Sequence, residues 1–105
     1  MPAAAVVLTT LPDRRSADRL ASALVRQKLA ACVSVLGPVR SVYRWKGRVE
    51  RAREMLLVVK TARSRCPALE RFVRRNHPYE VPEVLCLPVT RGSSAYLSWL
   101  GAAVA

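Results

Sequence analysis

The chain has 105 residues, the usual size of one domain with one hydrophobic core, so we predict a single domain over residues 1–105. Hydrophobic residues make up 51% of it and no long polar tract interrupts them, which excludes an intrinsically disordered chain. The net charge is +11, and 15 of the 18 basic residues are arginine. Such a balance indicates either anionic partners or a solvated basic surface.

The distribution of apolar residues also bears on location. No apolar run approaches the roughly 18 residues that a membrane span needs, since the longest candidates are residues 3–8 and 55–59. Residues 1–8 lack the basic start and long apolar centre of a secretory signal. We therefore expect a cytoplasmic protein with no membrane partner. The three cysteines are odd in number and widely spaced, which favours reduced thiols over a disulfide framework.

The first predicted elements are a strand and a helix. Residues 4–10 form an apolar run rich in β-branched side chains, and Pro12 with Asp13 ends it with a proline and a good helix N-cap. Apolar side chains then recur every three or four positions from Ala17 to Leu29, with arginines between them. This pattern predicts an amphipathic helix with a basic outer face.

Two long antiparallel strands are predicted next. The segment 32–45 reads as a strand that Gly37-Pro38 interrupts with a bulge or bend. Lys46-Gly47 then forms a plausible hairpin turn into a third strand, Arg48 to Thr61.

The remaining chain is predicted to form a helix, a strand and a short final helix. The second helix follows residues 62–64, turns Leu69, Phe72 and Val73 inward, and ends near residues 76–78. A fourth strand covers 83–90, and 94–100 spaces its large residues as a short amphipathic helix. The order βαββαβ plus a helix predicts an α+β, ferredoxin-like fold, with two helices on one face of a four-stranded antiparallel sheet.

The other face of that sheet would be bare. Residues 54–60 and 84–89 are apolar on both sides of their strands, as in a sheet that is covered on both faces. A chain of this length has no second helical layer, so the pattern predicts that another copy of the chain covers the bare face. Tyr43 and Trp45 alternate along one strand and point to one face, which suits either a subunit interface or a ligand-stacking wall.

Few residues suggest chemistry. His77 is the single histidine, and beside Pro78 it either orders a helix end and loop or acts in a site. No glycine-rich phosphate loop, H-E-x-x-H motif or metal-spaced Cys/His cluster occurs, so we expect no enzyme. Glu54 and Lys60 flank an apolar strand and Glu83 follows Pro82, an arrangement that fits a surface salt bridge or an intersubunit cleft.

Six segments in order carry a family resemblance: V-L-T-T-L-P-D at 7–13, L-A-A-C-V at 29–33, S-V-Y-R-W-K-G at 41–47, E-M-L-L-V-V-K-T at 54–61, H-P-Y-E-V-P-E at 77–83 and Y-L-S-W-L at 96–100. In them the chain resembles the CutA divalent-cation tolerance family nearly end to end. The resemblance implies a homotrimer similar to PII-like proteins, binding of copper or other divalent heavy metals, and a part in the response to metal ions. It implies neither a required cofactor nor an enzymatic reaction.

Candidate site residues follow from the same resemblance. Cys32 matches the family's A-A-C segment, and His77, Tyr79 and Glu83 match its H-P-Y-x-x-P-E segment. We take Cys32, His77 and Glu83 as candidate metal ligands. Thr9 stands where some members proposed to bind metal have a cysteine, and Cys66 and Cys86 lie outside the family's motifs. We therefore expect weak metal binding.

Two other functions are open. The chain is alternatively a PII-like sensor whose intersubunit cleft, lined by Trp45, Glu54, Lys60, Tyr79 and Glu83, receives an anionic small molecule. Non-specific, salt-dependent nucleic-acid binding by the arginine-rich helices is the third hypothesis, and we expect no specific nucleic-acid partner.

The assembly that we expect is a closed trimer. The bare sheet faces would meet around a three-fold axis, the hairpin 32–61 would reach onto a neighbour, and Tyr43 and Trp45 would lie in the interface.

Overall fold

The predicted order of elements is confirmed in a computed structural model, which describes residues 3–105. The strands and helices are β1 (Ala4–Leu11), α1 (Arg14–Arg26), β2 (Cys32–Trp45), β3 (Arg48–Ala62), α2 (Cys66–Asn76), β4 (Leu85–Pro88) and α3 (Ser94–Ala103), with a 3-10 turn at Arg63–Arg65. The four strands form one antiparallel sheet in the order β2-β3-β1-β4. The fold is therefore α+β with a helix appended, as the sequence predicts.

Local chemistry explains where α1 begins. Asp13 has extended backbone, and its Oδ1 accepts a hydrogen bond of 2.8 Å from the Ser16 backbone N–H. This is the predicted N-cap, which satisfies a donor that the helix itself leaves free. Ala17, Leu20 and Leu24 then form the buried stripe of the helix.

The β2–β3 hairpin has the predicted turn and the predicted bulge. Lys46 and Gly47 both have positive φ, 51° and 78°, as a tight hairpin turn requires. The register slips by one residue, because Leu36 pairs with Leu56 while Val39 pairs with Glu54.

The bulge also decides which side chains share a face. Side chains directly opposite one another in a sheet lie on the same side, so the slip brings the odd-numbered residues of β2 onto the face of Glu54. Tyr43 and Trp45 thereby point to the same side as Glu54. Without the extra residue, both rings would point to the other side.

One face of the sheet carries the core. Val7, Leu57 and Val59 point to this side and are buried with Leu20 and Leu24 of α1 and with Leu69 and Val73 of α2. A smaller cluster joins α3 to the start of β1, through Ala4, Ala62, Leu100 and Val104. The guanidinium of Arg65 donates two hydrogen bonds to the Val104 carbonyl, at 2.9 and 2.6 Å, and fixes this end of the chain.

Neither α1 nor α2 lies on the opposite face, and α3 packs only at its end, against Ala4 and Ala62. Residues that pair across the sheet on this side are Val6, Leu8, Leu56, Val58, Leu85 and Leu87, which we call the bare face. Leu85 and Leu87 are 55% and 44% exposed within one chain. The sequence therefore correctly predicted an apolar face that α1 and α2 leave uncovered, but not that α3 packs at one end of it.

The fourth strand is shorter than predicted. It covers Leu85–Pro88 rather than 83–90, and it pairs with β1 only from Ala5 to Leu8. Further along β1 the Thr10 carbonyl is bonded by the His77 ring, so that edge of the strand is already occupied. The sequence analysis extended the strand because residues 83–90 are apolar, which does not distinguish a paired strand from a packed loop.

Arginines cluster on the far part of the hairpin. Arg40 lies directly opposite Arg53, and Arg44 and Arg51 share their side of the sheet. We call these four residues the arginine face; it is the side away from Tyr43 and Trp45. Within residues 3–105 one ion pair is formed, between Arg74 and Glu70 at 3.9 Å, so the arginine face has no carboxylate partner there. No helix of the described chain is long and apolar enough to cross a membrane.

Candidate functional site

A pocket of about 740 Å³ lies where the hairpin meets the loop between α2 and β4. Four parts of the chain supply its walls: the end of β1, the outer part of β2, one residue of β3, and the loop. The lining residues are Thr10, Ser41, Val42, Tyr43, Trp45, Glu54, Pro78, Tyr79, Glu80, Val81 and Glu83. We call this the acidic pocket, because its charged residues are all glutamates.

His77 holds the loop in place. It follows the last residue of α2 with extended backbone, and its Nδ1 accepts a hydrogen bond of 3.0 Å from the Tyr79 backbone N–H. The ring proton is then on Nε2, which donates to the Thr10 carbonyl at 2.6 Å. Both ring nitrogens form hydrogen bonds, so His77 orders the loop. The sequence analysis gave this role as one of two, the other being a direct part in a site.

Tyr79 and Glu54 form the polar centre of the pocket wall. The Tyr79 hydroxyl donates a hydrogen bond of 2.8 Å to Glu54 Oε2, and Glu54 is only 8% exposed. Burial, and then the Glu54 carboxylate, raise the pKa of the Tyr79 phenol above its usual range. The phenol therefore stays protonated at neutral pH and remains a donor to the carboxylate. The His77 and Tyr79 rings lie 4.7 Å apart, which packs the two anchors of the loop together.

The pocket concentrates negative charge in a strongly basic molecule. Glu54, Glu80 and Glu83 are three of the seven acidic residues of the chain, and no Lys or Arg lines the pocket with them. Such a surface attracts cations and repels anions. The sequence analysis missed Glu80, although the scarcity of acidic residues and the spacing of Glu80 and Glu83 in one loop could have pointed to it.

Most of the residues predicted for a ligand cleft come together. Trp45, Glu54, Tyr79 and Glu83 all line the pocket, and so does Tyr43, which was predicted with Trp45 for the interface. Lys60 does not. It lies six residues further along β3 than Glu54, about 20 Å for an extended strand, and its Nζ donates to Ser34 Oγ at 2.7 Å.

The three candidate metal ligands are not gathered within one chain. Cys32 pairs with Lys60, whereas Thr10, which His77 contacts, pairs with Leu56, about 13 Å away along β3. Cys32 also points to the bare face. Thr9 pairs with Leu57 on the helix-covered side and is fully buried, so that position does not face the pocket. Its Oγ1 has no hydrogen-bond partner within the described part of the chain.

Comparison with known proteins places the chain among close relatives. Residues 5–103 match the family model described as "CutA1 divalent ion tolerance protein". The chain is 43% identical to the divalent-cation tolerance protein CutA of Citrobacter koseri, over 99% of this chain and 90% of that protein. It is 46% identical to the chloroplastic protein CutA of Arabidopsis thaliana, over 90% of this chain and 52% of that one. The chain thus spans about half the length of the plant and mammalian relatives it matches.

Solved structures of the same family share the fold. The crystal structure of CutA1 from Oryza sativa superposes with a TM-score of 0.94 at 41% identity, covering 97% of this chain and 94% of that one. The Cut A1 protein of Thermus thermophilus superposes with a TM-score of 0.92 at 43% identity, covering 94% and 96%. The similarity to this family, in sequence and in three-dimensional structure, therefore extends over nearly the whole chain.

Proposed function

Since the chain belongs to the CutA1 divalent ion tolerance family, we propose that it takes part in the response to divalent metal ions as a homotrimer, and that copper or a similar ion binds weakly in the acidic pocket. The observation that carries the proposal is the lining of that pocket, which has three glutamates and no basic residue in a chain of net charge +11. The metal is then a ligand rather than a required cofactor, and no catalytic role is part of the proposal.

The available donors suit a weak site. Of the three ligands expected from the sequence we keep Glu83, and we add Glu54 and Glu80, which line the same pocket. Cys32 lies elsewhere, and ligation by His77 would break one of its two hydrogen bonds. Within residues 3–105 no three His, Cys, Asp or Glu side chains form a ligand set. We therefore propose one or two carboxylates with water in the remaining positions, or with donors from a second subunit.

The trimer is supported by the bare face. Its six apolar side chains lie together on one side of the sheet, and Tyr43 and Trp45 extend the same side along the hairpin. Burial of such a face against other copies of the chain removes it from water at about 25 cal/mol per Å². The number three is taken from the family resemblance. The acidic pocket would then lie beside the subunit boundary, because Tyr43 and Trp45 line it.

We also propose the cytoplasm as the location. The three cysteines are free thiols in the structure, which fits a reducing compartment.

Isothermal titration of the metal-free protein with Cu²⁺ and with Zn²⁺ tests the proposal. We expect weak binding, and we expect Glu83→Gln to weaken it about threefold to tenfold, because one charge within a few Å of a divalent ion in partly aqueous surroundings contributes about 1 kcal/mol. Glu83 is exposed, so the isosteric amide should not disturb the fold.

Glu70→Gln is the matched control. Glu70 is exposed on α2 and pairs with Arg74, away from the pocket residues. Equal affinities of the Glu83 and Glu70 variants would show that the ions bind elsewhere, and submicromolar binding lost in His77→Ala would restore the histidine as a ligand.

A further inference from the structure

The arginine face lies on the outer hairpin, residues 39–53, beyond the part of the sheet that α1 and α2 cover. Arg40 is directly opposite Arg53, and Arg44 and Arg51 point to the same side. All four side chains are exposed, and no residue of the outer hairpin belongs to either hydrophobic cluster. The four guanidinium groups therefore stand on an open surface.

This surface has no negative charge to balance it. The one carboxylate in the outer hairpin is Glu50, which pairs with Tyr43 and so points to the other side of the sheet. Residues directly opposite each other have Cβ atoms about 5 Å apart, and like charges in that arrangement destabilise a sheet. A bound anion would offset the repulsion between Arg40 and Arg53, so the surface favours a negatively charged ligand.

The shape of the outer hairpin narrows the choice of anion. Its two strands are about 5 Å apart, and the segment from Val39 to Trp45 is about 20 Å long. A two-stranded ribbon of this kind enters the major groove of B-form DNA, which is about 12 Å wide. The major groove of an RNA duplex is deep and narrow, and side chains cannot reach into it.

The other side chains of the outer hairpin also suit a duplex. Val42 and Val49 lie between the arginines and are 63% and 54% exposed; they are shorter than arginine, so the guanidinium groups can reach beyond them. The two aromatic rings, Tyr43 and Trp45, point to the other side, whereas single-stranded nucleic acid is bound largely by stacking on such rings. A cleft of about 400 Å³ on the hairpin is lined by Arg40, Ser41, Val42, Arg51, Ala52 and Arg53.

We propose that the arginine face binds double-stranded DNA without regard to sequence, with the ribbon at the major groove and the guanidinium groups on the phosphates. Guanidinium groups form paired, charge-assisted hydrogen bonds to phosphate oxygens. Arg40 and Arg44 are about 13 Å apart along their strand, so they contact phosphates of different nucleotides. The proposed trimer uses the bare face and the side of Tyr43 and Trp45, which leaves the arginine face free.

Fluorescence anisotropy with a short fluorescein-labelled DNA duplex of mixed sequence tests the proposal. The full-length protein is titrated at several salt concentrations from about 50 to 200 mM, with EDTA present so that the result is independent of metal binding. We expect binding at low salt that weakens steeply as salt rises, because each phosphate contact releases counterions. Arg40→Gln/Arg53→Gln should reduce the slope of log affinity against log salt by about 2 and weaken binding about tenfold at the lowest salt.

Two controls keep this result specific to the hairpin. Arg71→Gln/Arg75→Gln removes the same charge from the exposed side of α2, where the sequence hypothesis placed nucleic-acid binding, and should leave the slope nearly unchanged. Thermal unfolding checks the fold of the hairpin variant, which should melt at or above the wild-type temperature because a repelling pair has been removed.

Three outcomes would overturn the proposal. Equal effects of the two double variants would show that the basic surface as a whole attracts the DNA. Absence of binding at the lowest salt would show that the arginine face does not hold a duplex. Tighter binding of single-stranded DNA, or of an RNA duplex of the same length, would show that the ribbon does not use the major groove.

Discussion

Glu54 is a buried carboxylate that accepts one side-chain hydrogen bond within residues 3–105. The Tyr79 hydroxyl supplies that hydrogen bond at 2.8 Å, and the same bond fixes the loop against the hairpin. Hydrogen bonds to charged groups contribute more than neutral ones, and a buried charge that loses its donor keeps its full desolvation cost. The pair therefore matters both to stability and to the shape of the acidic pocket.

Tyr79→Phe should lower the free energy of unfolding by about 1 to 2 kcal/mol at neutral pH, because Glu54 loses its donor. Thermal unfolding at a fixed protein concentration measures the change. Tyr96→Phe is the control, since Tyr96 is exposed and its ring packing on Trp99 survives the substitution. Equal melting temperatures of the two variants would show that the Tyr79 hydrogen bond contributes nothing.

The same pair predicts a pH dependence. The folded-state pKa of Tyr79 is raised, so its contribution is fully present below the unfolded-state pKa of about 10 and is lost as the pH rises through the higher folded-state value. The gap in stability between the wild type and Tyr79→Phe should thus be constant from pH 7 to about 9 and shrink at higher pH. A gap that widens with pH would contradict this sign.

For single residues, the sequence predicted which side chains share a face of the sheet better than it predicted which side chains contact one another. The alternation of Tyr43 and Trp45 correctly predicted a shared face, and Tyr79 and Glu83 of the motif around His77 line the acidic pocket of the single chain. Lys60 was grouped with Glu54 for an intersubunit cleft, but within one chain it lies six residues away along β3 and bonds to Ser34, because a strand sequence does not reveal which of its ends faces the loop. The bond from Tyr79 to Glu54 joins residues 25 apart and depends on the whole fold.

At the scale of elements, the bulge in β2 is the feature on which the pocket depends. Gly37 has a φ of 141°, a conformation that side chains rarely adopt, and a Cβ there would come within 2.9 Å of Met55 Sδ and 3.0 Å of the Glu54 carbonyl. A glycine is therefore required at the point where β2 changes the face of its side chains.

Gly37→Ala should destabilise the protein by about 3 kcal/mol, because backbone strain and a close contact add together. Gly47→Ala is the matched control: its φ of 78° is also strained, but nothing lies within 4 Å of the new Cβ, so we expect about 1 kcal/mol. Denaturant unfolding of both variants compares them. A Gly37 variant as stable as the Gly47 variant would show that β2 accommodates the side chain by shifting.

Structural features that are determined by residues adjacent in the sequence were predicted correctly. The Asp13 cap, the Lys46-Gly47 turn and the position of the bulge all depend on neighbouring residues and are confirmed. The length of β4 was not predictable in this way, since its pairing ends where His77 bonds to Thr10, which is a contact between distant parts of the chain.

For the molecule as a whole, the bare face together with Tyr43 and Trp45 forms an exposed apolar surface. Stable interfaces bury about 800 Å² per partner, so the proposed trimer requires a contact of that size on each chain. The structure extends 44 Å along its longest axis but only 25 and 22 Å across, so each chain has long sides for contact with a neighbour.

Trp45→Arg should weaken the proposed trimer, because it places an unpaired charge in the interface. Sedimentation velocity at micromolar concentration measures the oligomer. Val49→Arg is the control on the neighbouring strand of the hairpin, since Val49 is 54% exposed on the other side of the sheet and does not line the acidic pocket. An intact trimer in the Trp45 variant, or a monomeric wild type, would contradict the assigned interface.

The arginine face has a consequence for the aggregation of separate chains. β2 is an edge strand of 14 residues, and long free edges pair with one another in aggregates. Arg40 and Arg44 lie on this edge, with Arg51 and Arg53 beside them on β3. Two such edges that approach each other bring guanidinium groups of like charge together, and the repulsion opposes pairing. The arginines should therefore reduce edge-to-edge aggregation of separate chains, whichever contacts the proposed trimer uses.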